Sequence, residues 1–242
     1  MNDFPIIDIP THDVVIPSNS RRIKIRPMTV KEEKILLIAK ESKEHGDMLD
    51  AVKQVVSNCI IDKTIKVNNL AIFDIEYIFI RIRAVSVSNV AELIFHDEED
   101  KSNYKFEVKL NEIKVVGLPT MNDKTNATIK VTDKIALLMK YPSGEVYSDA
   151  LYRSKSDIEM VETMVLACID KIFEGEKIYT IDDKNKEKLT NFVEQLDINT
   201  YNKMKDFIAS TPKLEYIVTY TNKMGTERKI VLDKLADFFT LY

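Results

Sequence analysis

The sequence predicts an α+β protein that is predominantly helical and is built from two diverged tandem repeats, each with a short strand, helices and a terminal β-hairpin. Apolar residues recur at three- and four-residue steps through much of the chain, as they do on one face of a helix. Two segments instead alternate apolar and polar residues around a polar turn, which is typical of hairpins. The 242 residues include 5 glycines, against roughly 17 at average usage, and this scarcity favours helices over tight turns.

The first half opens with an extended arm and a strand. Residues 3–17 hold three of the seven prolines, so we expect an arm that packs on another surface rather than a helix. Residues 22–26 alternate with period two and predict a strand. Thr29 and Glu32 form a capping box that opens a helix, and Asp47 begins the next helix, whose apolar face includes Cys59.

A third helix and the first hairpin complete this half. Residues 71–87 fit both periods, and the helical spacing of their isoleucines favours a helix although β-branched residues are frequent there. Residues 93–95 and 104–110 predict the two strands of the hairpin, and the polar run 97–103 predicts its turn.

The second half follows a similar order. The predicted elements are a strand at 128–131, a helix at 132–139, a helix from a capping box at 156–159 to Ile172, helices at 189–196 and 201–208, a hairpin at 215–232 and a short helix at 235–239. The apolar segment around Cys59 resembles the one around Cys168, so we interpret the chain as a tandem duplication. The first repeat is 1–118, with the arm and the first hairpin, and the second is 119–242, with the second hairpin.

Composition excludes several classes of function. The 35 basic and 39 acidic residues give a net charge of −4, which argues against a broad nucleic-acid-binding surface. No segment approaches the roughly 18 apolar residues of a membrane helix. Residues 1–9 carry no basic residue, unlike a signal peptide. Two cysteines, Cys59 and Cys168, are too few for a disulfide framework. We therefore expect a reduced, intracellular protein that contacts neither membrane nor nucleic acid.

No group of residues predicts catalysis, a cofactor or a metal. The three histidines share no ligand spacing, and His96 with the acidic residues after it matches no calcium loop. Asp182 and Asp183 precede a predicted helix, where acids complement the helix dipole. The basic residues between Arg21 and Arg26 fit either a solvated strand face or an acidic partner. Both cysteines lie on apolar helix faces and are expected to be buried and unpaired.

A family resemblance rests on the N-terminal region. Ile16-Pro17-Ser18, followed by IKIRPMTVKEEKIL from Ile23 to Leu36, is similar to the N-terminal signature of the T-even-type bacteriophage baseplate hub subunit and hub assembly proteins. The later order also resembles that family, with an Asn-Cys-Ile helix, a hairpin, a helix bearing Cys-Ile and a Leu-x-x-Phe-Phe end at residues 235–239.

The resemblance implies a zinc-ribbon-like position in each hairpin turn, and this chain departs from it. Relatives often carry Cys-x-x-Cys in such turns, and one pair in each turn would supply four thiolate ligands to zinc. The turns here, 97–103 and 221–225, contain no cysteine. We therefore expect no bound zinc and hairpins held by strand pairing and packing alone.

The resemblance implies a non-catalytic hub protein of the tail baseplate, either a subunit or an assembly chaperone. It would act by binding other phage baseplate hub proteins, in the host cytoplasm during assembly and in the virion tail baseplate if it is retained. Two alternatives stay open, a nucleic-acid-binding relative of zinc-ribbon proteins and an unrecognised intracellular enzyme. The candidate partner-binding residues are apolar and lie near the two ends of the chain: Phe4, Ile6, Ile7, Leu235, Phe238 and Phe239.

Overall fold

The structure is a computed structural model that describes Pro5 and residues 7–42, 46–119, 127–182 and 185–238. Within these residues, seven α-helices stand beside eleven strands in four small antiparallel sheets. The prediction of a predominantly helical protein is therefore wrong, and the fold is a mixed α+β fold.

The first segment pairs a strand hairpin with three helices. Its elements are β1 (His12–Val15), β2 (Arg22–Ile25), α1 (Val30–Glu41), α2 (Asp47–Cys59), a 3₁₀ turn (Val67–Asn69) and α3 (Ile72–Ser86). β1 and β2 pair antiparallel, with His12 opposite Ile25. The predicted strand, capping box and helices of this segment are confirmed, including the helix in the ambiguous stretch 71–87.

The first hairpin is also confirmed. It consists of β3 (Val90–Asp97) and β4 (Ser102–Lys109), and a 3₁₀ turn (Leu110–Glu112) leads to β5 (Lys114–Val116). β5 does not pair with this hairpin. It pairs instead with the second hairpin, almost a hundred residues later in the chain, and the sequence pattern did not predict it.

The second segment contains a four-stranded sheet that sequence analysis missed. Its elements are β6 (Thr128–Lys130), β7 (Ile135–Met139), α4 (Gly144–Arg153), α5 (Asp157–Ala167), β8 (Ile169–Glu174), β9 (Lys177–Thr180), α6 (Lys186–Glu194), α7 (Ile198–Ala209), β10 (Lys213–Thr221), β11 (Glu227–Leu232) and a 3₁₀ turn (Leu235–Phe238). The strand order β6-β7-β8-β9 forms the sheet.

Two predicted helices in this segment are therefore wrong. Residues 135–139 form β7, because an apolar run of this length fits a central strand as well as a helix. The helix predicted to continue to Ile172 ends at Ala167, and β8 begins at Ile169. The apolar residues of β8 continue the helical spacing of α5 by coincidence. Gly175, at φ +56°, makes the turn into β9, since glycine adopts positive φ without steric cost.

The core consists of three hydrophobic clusters. The first joins β1, β2, α1, α2 and α3. The second joins the four-stranded sheet to α5, α6 and α7. The third lies between α3 and both hairpins. Cys59 is fully buried in the first cluster and Cys168 in the second, so the prediction of buried cysteines is confirmed.

The two segments are joined by a polar contact as well as by the third cluster. Asp50 and Lys53 on α2 meet α4, where Lys53 donates to Ser148 at 2.7 Å and Tyr152 donates to Asp50 at 2.9 Å. Gly144, the first residue of α4, also packs closely on α3, where a Cβ would lie 2.4 Å from Ile75 Cδ1. The division into repeats 1–118 and 119–242 stays a prediction.

Candidate docking surfaces

The predicted partner-binding residues lie in different surroundings. Ile7 is exposed, Leu235 is half-buried between the first and third clusters, and Phe238 is only 1% exposed within the third cluster. Phe238 therefore contributes to this chain's own core. Phe4, Ile6 and Phe239 lie outside the described residues, and the docking role of the six residues stays a prediction.

An open groove lies where the end of β1, helix α3, β5 and β10 meet. Its volume is about 800 Å³. The residues that contribute exposed apolar surface to it are Val15, Leu118 and Ile217. Val15 belongs to the predicted apolar arm, whereas sequence analysis missed Leu118 and Ile217. One sequence feature could have indicated this surface. Ile217 is an apolar residue at a solvent-facing position of the alternating hairpin strand, and it pairs with exposed Val231.

Arg81 on α3 holds one wall of this groove. Its guanidinium donates to the carbonyl oxygens of Leu110 at 2.9 Å and Ile113 at 2.8 Å, and it lies 4.5 Å from the centre of the Tyr77 ring. These contacts fix the 3₁₀ turn that leads into β5. A guanidinium with two carbonyl partners and an aromatic face is well placed to hold a backbone turn.

Beside the groove, one edge of β10 lacks a strand partner over part of its length. β5 pairs with β10 only at residues 213–215, whereas β10 continues to Thr221. Beyond Glu215, no strand among the described residues pairs with this edge of β10. An unpaired edge presents backbone donors and acceptors to an incoming extended segment.

The tips of the two hairpins are joined by polar side chains. Asp97, nearly fully buried, accepts from the Tyr220 hydroxyl at 2.6 Å, and Arg228 lies 2.9 Å from Glu99. Asn222 donates to Glu99 and accepts from two backbone N–H groups of its own turn. The expectation that pairing and packing alone hold the hairpins was therefore incomplete.

These contacts shift the ionisation of the acids at the tips. The hydrogen bond from Tyr220 is the main cause of the lowered pKa of Asp97. Desolvation opposes ionisation of Asp100, but hydrogen bonds from the Tyr104 hydroxyl and the Lys223 backbone N–H lower its pKa to about 2. The acids that follow His96 thus act as acceptors between the hairpins.

Three of the four basic residues between Arg21 and Arg26 are paired with carboxylates. Arg21 lies 2.7 Å from Asp62, and Lys24 lies 3.4 Å from Asp13. Arg26 lies 3.0 Å from buried Glu32. Such pairing reduces the positive potential that a phosphate backbone would need.

The described residues form neither a metal-binding group nor a membrane-spanning helix. No three of the histidine, cysteine, aspartate and glutamate side chains described here are grouped so that they could hold a metal ion. None of the described helices is long and apolar enough to cross a membrane. The exposed features that the geometry does provide are apolar surfaces and open strand edges.

Comparison with known proteins identifies the family. One family model, described as T4 bacteriophage base plate protein, matches residues 9–240. The match extends over every helix and strand described above. Comparisons with curated proteins and with solved structures gave no match. The chain belongs to the T4 bacteriophage base plate protein family.

Proposed function

We propose that this protein is a non-catalytic component in the assembly of the central baseplate hub, and that it acts by binding other hub proteins. Membership of the base plate family supports a structural role in the tail baseplate. The similarity of Ile16–Leu36 to the signature of hub subunits and hub assembly proteins supports the more specific hub role. Assembly takes place in the host cytoplasm under this proposal.

The observation that carries the proposal is the groove between β1, α3, β5 and β10. An extended segment of another hub protein pairs with the open edge of β10 and continues the sheet beyond β5. Its apolar side chains contact Val15, Leu118 and Ile217. Strand addition of this kind takes its affinity from backbone hydrogen bonds and its specificity from side-chain contacts.

The experiment is capture of tagged protein from infected cells, followed by mass spectrometry. We expect other baseplate proteins of the phage to be recovered. The variant Ile217→Asp, at a position 42% exposed, places a charge in the groove and should reduce their recovery at least about tenfold, which corresponds to about 1.4 kcal/mol.

Ile38→Asp is the matched control. Ile38 lies on α1, is 70% exposed and does not line the groove, so its variant should capture the same proteins as the wild type. Recovery of no baseplate protein contradicts the proposed function. Equal recovery by Ile217→Asp and wild type contradicts the groove as the binding surface.

The two alternative functions lack a comparable observation. Three of the four basic residues between Arg21 and Arg26 are paired with acids, which does not favour nucleic-acid binding. The strongest polar cluster, at the hairpin tips, is occupied by contacts between the two hairpins, which does not favour catalysis there.

A further inference from the structure

An N-terminal segment, residues 7–11, precedes β1 without a hydrogen-bonding partner among the described residues. It belongs to no helix or strand, and none of the described residues exchanges a hydrogen bond with it. Ile7 is 82% exposed, and Ile9 is half-buried but belongs to none of the three hydrophobic clusters. The segment thus presents two isoleucines and unpaired backbone groups.

The order of residues in this segment suits a strand that pairs along one edge. In an extended chain, Ile7, Ile9 and Thr11 share one face, and their backbone groups point to one edge. Pro10 turns its nitrogen to the opposite edge, where the missing N–H costs no hydrogen bond. The segment can therefore pair along one edge without losing a donor, and its isoleucines then lie on the same face.

The open edge of β10 is a complementary surface. From Tyr216 to Thr221 the strand has no charged side chain, although edge strands are usually protected by charges, by proline or by a covering segment. Beside this edge, the groove presents the exposed apolar side chains of Val15, Leu118 and Ile217. A segment that pairs with the edge and carries two apolar residues on one face matches both features.

The charged residues of the groove are balanced, so they select neither sign of partner. Arg81 donates to two carbonyl oxygens, and Glu112 lies 3.3 Å from Lys109. Lys114 on β5 stands directly opposite Glu215 on β10. Selection therefore depends on backbone pairing and apolar contact, which the N-terminal segment provides.

The segment does not lie in the groove of its own chain. Val15 and Pro17, at the C-terminal end of β1, line the groove, whereas none of residues 7–11 does. The segment joins the other end of β1, about 10 Å from Val15. To enter the same groove it would have to reverse its direction over about four residues, and these are the residues that would pair.

We infer that residues 7–11 of one copy of the chain pair with the open edge of β10 in a second copy, so that the two isoleucines fill the apolar groove there. Every copy carries both features, so two copies can exchange segments reciprocally, whereas one-way exchange continues from copy to copy. The hub segment proposed above uses the same edge, and the two contacts therefore exclude each other. The inference goes beyond the hub role, because a second copy is a different partner.

The small size of the contact sets its expected strength. Five paired residues span about 17 Å of strand and bury far less than the roughly 800 Å² per partner of a stable complex. We expect each contact to have a dissociation constant of about 0.1–1 mM, and reciprocal exchange to tighten the pair.

Sedimentation velocity of the full chain over a concentration series up to about 1 mM tests the inference. The wild-type sedimentation coefficient should rise with concentration. Ile7→Asp places a charge on the segment and Ile217→Asp places one in the groove, so each variant should remain monomeric with a wild-type circular dichroism spectrum. Ile38→Asp, at an exposed position on α1 outside both surfaces, should associate like the wild type.

An equimolar mixture of Ile7→Asp and Ile217→Asp tests which surfaces meet. The Ile7→Asp copy keeps an intact groove, and the Ile217→Asp copy keeps an intact segment. One productive contact is thus possible between the two variants and none within either variant alone. The mixture should therefore associate at a total concentration at which each component alone remains monomeric.

Capture from infected cells separates this contact from the proposed hub contact. Ile7→Asp should recover the same baseplate proteins as the wild type, because its groove is intact, whereas Ile217→Asp loses both contacts. If Ile7→Asp recovered about tenfold less, the segment would bind hub proteins instead of a second copy.

Three further results would overturn the inference. They are a wild type that stays monomeric throughout the series, association that survives Ile7→Asp or Ile217→Asp, and a mixture that associates no better than its components. Association of the purified chain involves no hub protein, so failure here is distinguishable from failure of the proposed function.

Discussion

At the scale of single residues, Glu32 shows how one side chain joins three local structures. Its carboxylate accepts from the Thr29 backbone N–H at 2.9 Å and from two guanidinium nitrogens of Arg26 at 3.0 and 3.1 Å. The hydrogen bond from Arg26 is the main cause that lowers the pKa of Glu32 to about 2. Glu32 thus connects the end of β2 to the start of α1.

The first prediction concerns Glu32→Gln. The folded carboxyl has a pKa below its unfolded value, so its contribution is present above about pH 4.3 and is lost as pH falls toward 2. We expect the variant to be about 1–3 kcal/mol less stable at pH 7, with the difference shrinking toward pH 2.5. Urea denaturation at several pH values measures this, and a difference independent of pH would contradict it.

The second prediction concerns Glu76 on α3, where the shift has the opposite sign. Burial raises the pKa of Glu76 to about 7, above its unfolded value near about 4.3. Wild-type stability is therefore reduced as pH rises from about 4.3 to 7. Glu76→Gln should be about 1–3 kcal/mol more stable than wild type at pH 8 and equal to it at pH 4. If Glu76→Gln and the wild type had equal free energies of unfolding at both pH values, the Glu76 carboxylate would be solvated in the folded protein.

Sequence predicted part of this residue-scale detail. The capping box at Thr29 and Glu32 depends on four consecutive residues, so it could be recognised in the sequence. The pairing of Arg26 with Glu32 was not predicted, because it depends on the direction in which the chain leaves β2. Phe238 was taken as a candidate partner-binding residue, but its burial depends on α3 and both hairpins, which local sequence does not reveal.

At the scale of elements, alternation predicted strands better than apolar runs did. Both hairpins β3–β4 and β10–β11 alternate because one face packs and the other meets solvent. β7 is a central strand with an apolar residue at every position from Ile135 to Met139. It therefore lacks the alternation of apolar and polar residues that identifies a strand. The groove was not predictable either, since it depends on β5, whose partner β10 lies almost a hundred residues later in the chain.

The third prediction concerns the hairpin tips. Tyr220→Phe removes the hydrogen bond to Asp97, which is nearly fully buried, and keeps the ring contacts with Tyr104 and Phe106. We expect the thermal midpoint to fall by a few degrees. Tyr179→Phe is the control, because its hydroxyl meets the exposed carboxylate of Glu174, and it should change the midpoint by about one degree or less. Equal shifts would mean that the tip contact adds nothing beyond a surface hydrogen bond.

At the scale of the whole molecule, α3 connects the three clusters. Its residues contribute to the first cluster and, through Ile80, to the third. The rings of Phe73 on α3 and Tyr141 form a T-shaped pair, and Tyr141 stacks on Phe207 in the second cluster. The N-terminal signature was enough to predict the base plate family. It did not predict the proportion of strand, because that depends on the sheet in the second segment.

The fourth prediction follows from this connection, and the two cysteines serve as its probes. Cys59 and Cys168 are buried in different clusters, so pulse labelling of each thiol in increasing urea reports the opening of each cluster separately. We expect both to become reactive at the same urea midpoint, because α3 belongs to the first cluster and its Phe73 contacts Tyr141, which packs on the second. Leu214→Ala leaves a cavity in the third cluster, where Leu214 is fully buried, and should cost about 2–5 kcal/mol. Both cysteines should then shift to lower urea by the same amount, although Leu214 belongs to neither of their clusters. If Cys168 became reactive before Cys59, or if only one midpoint moved, the two segments would unfold independently.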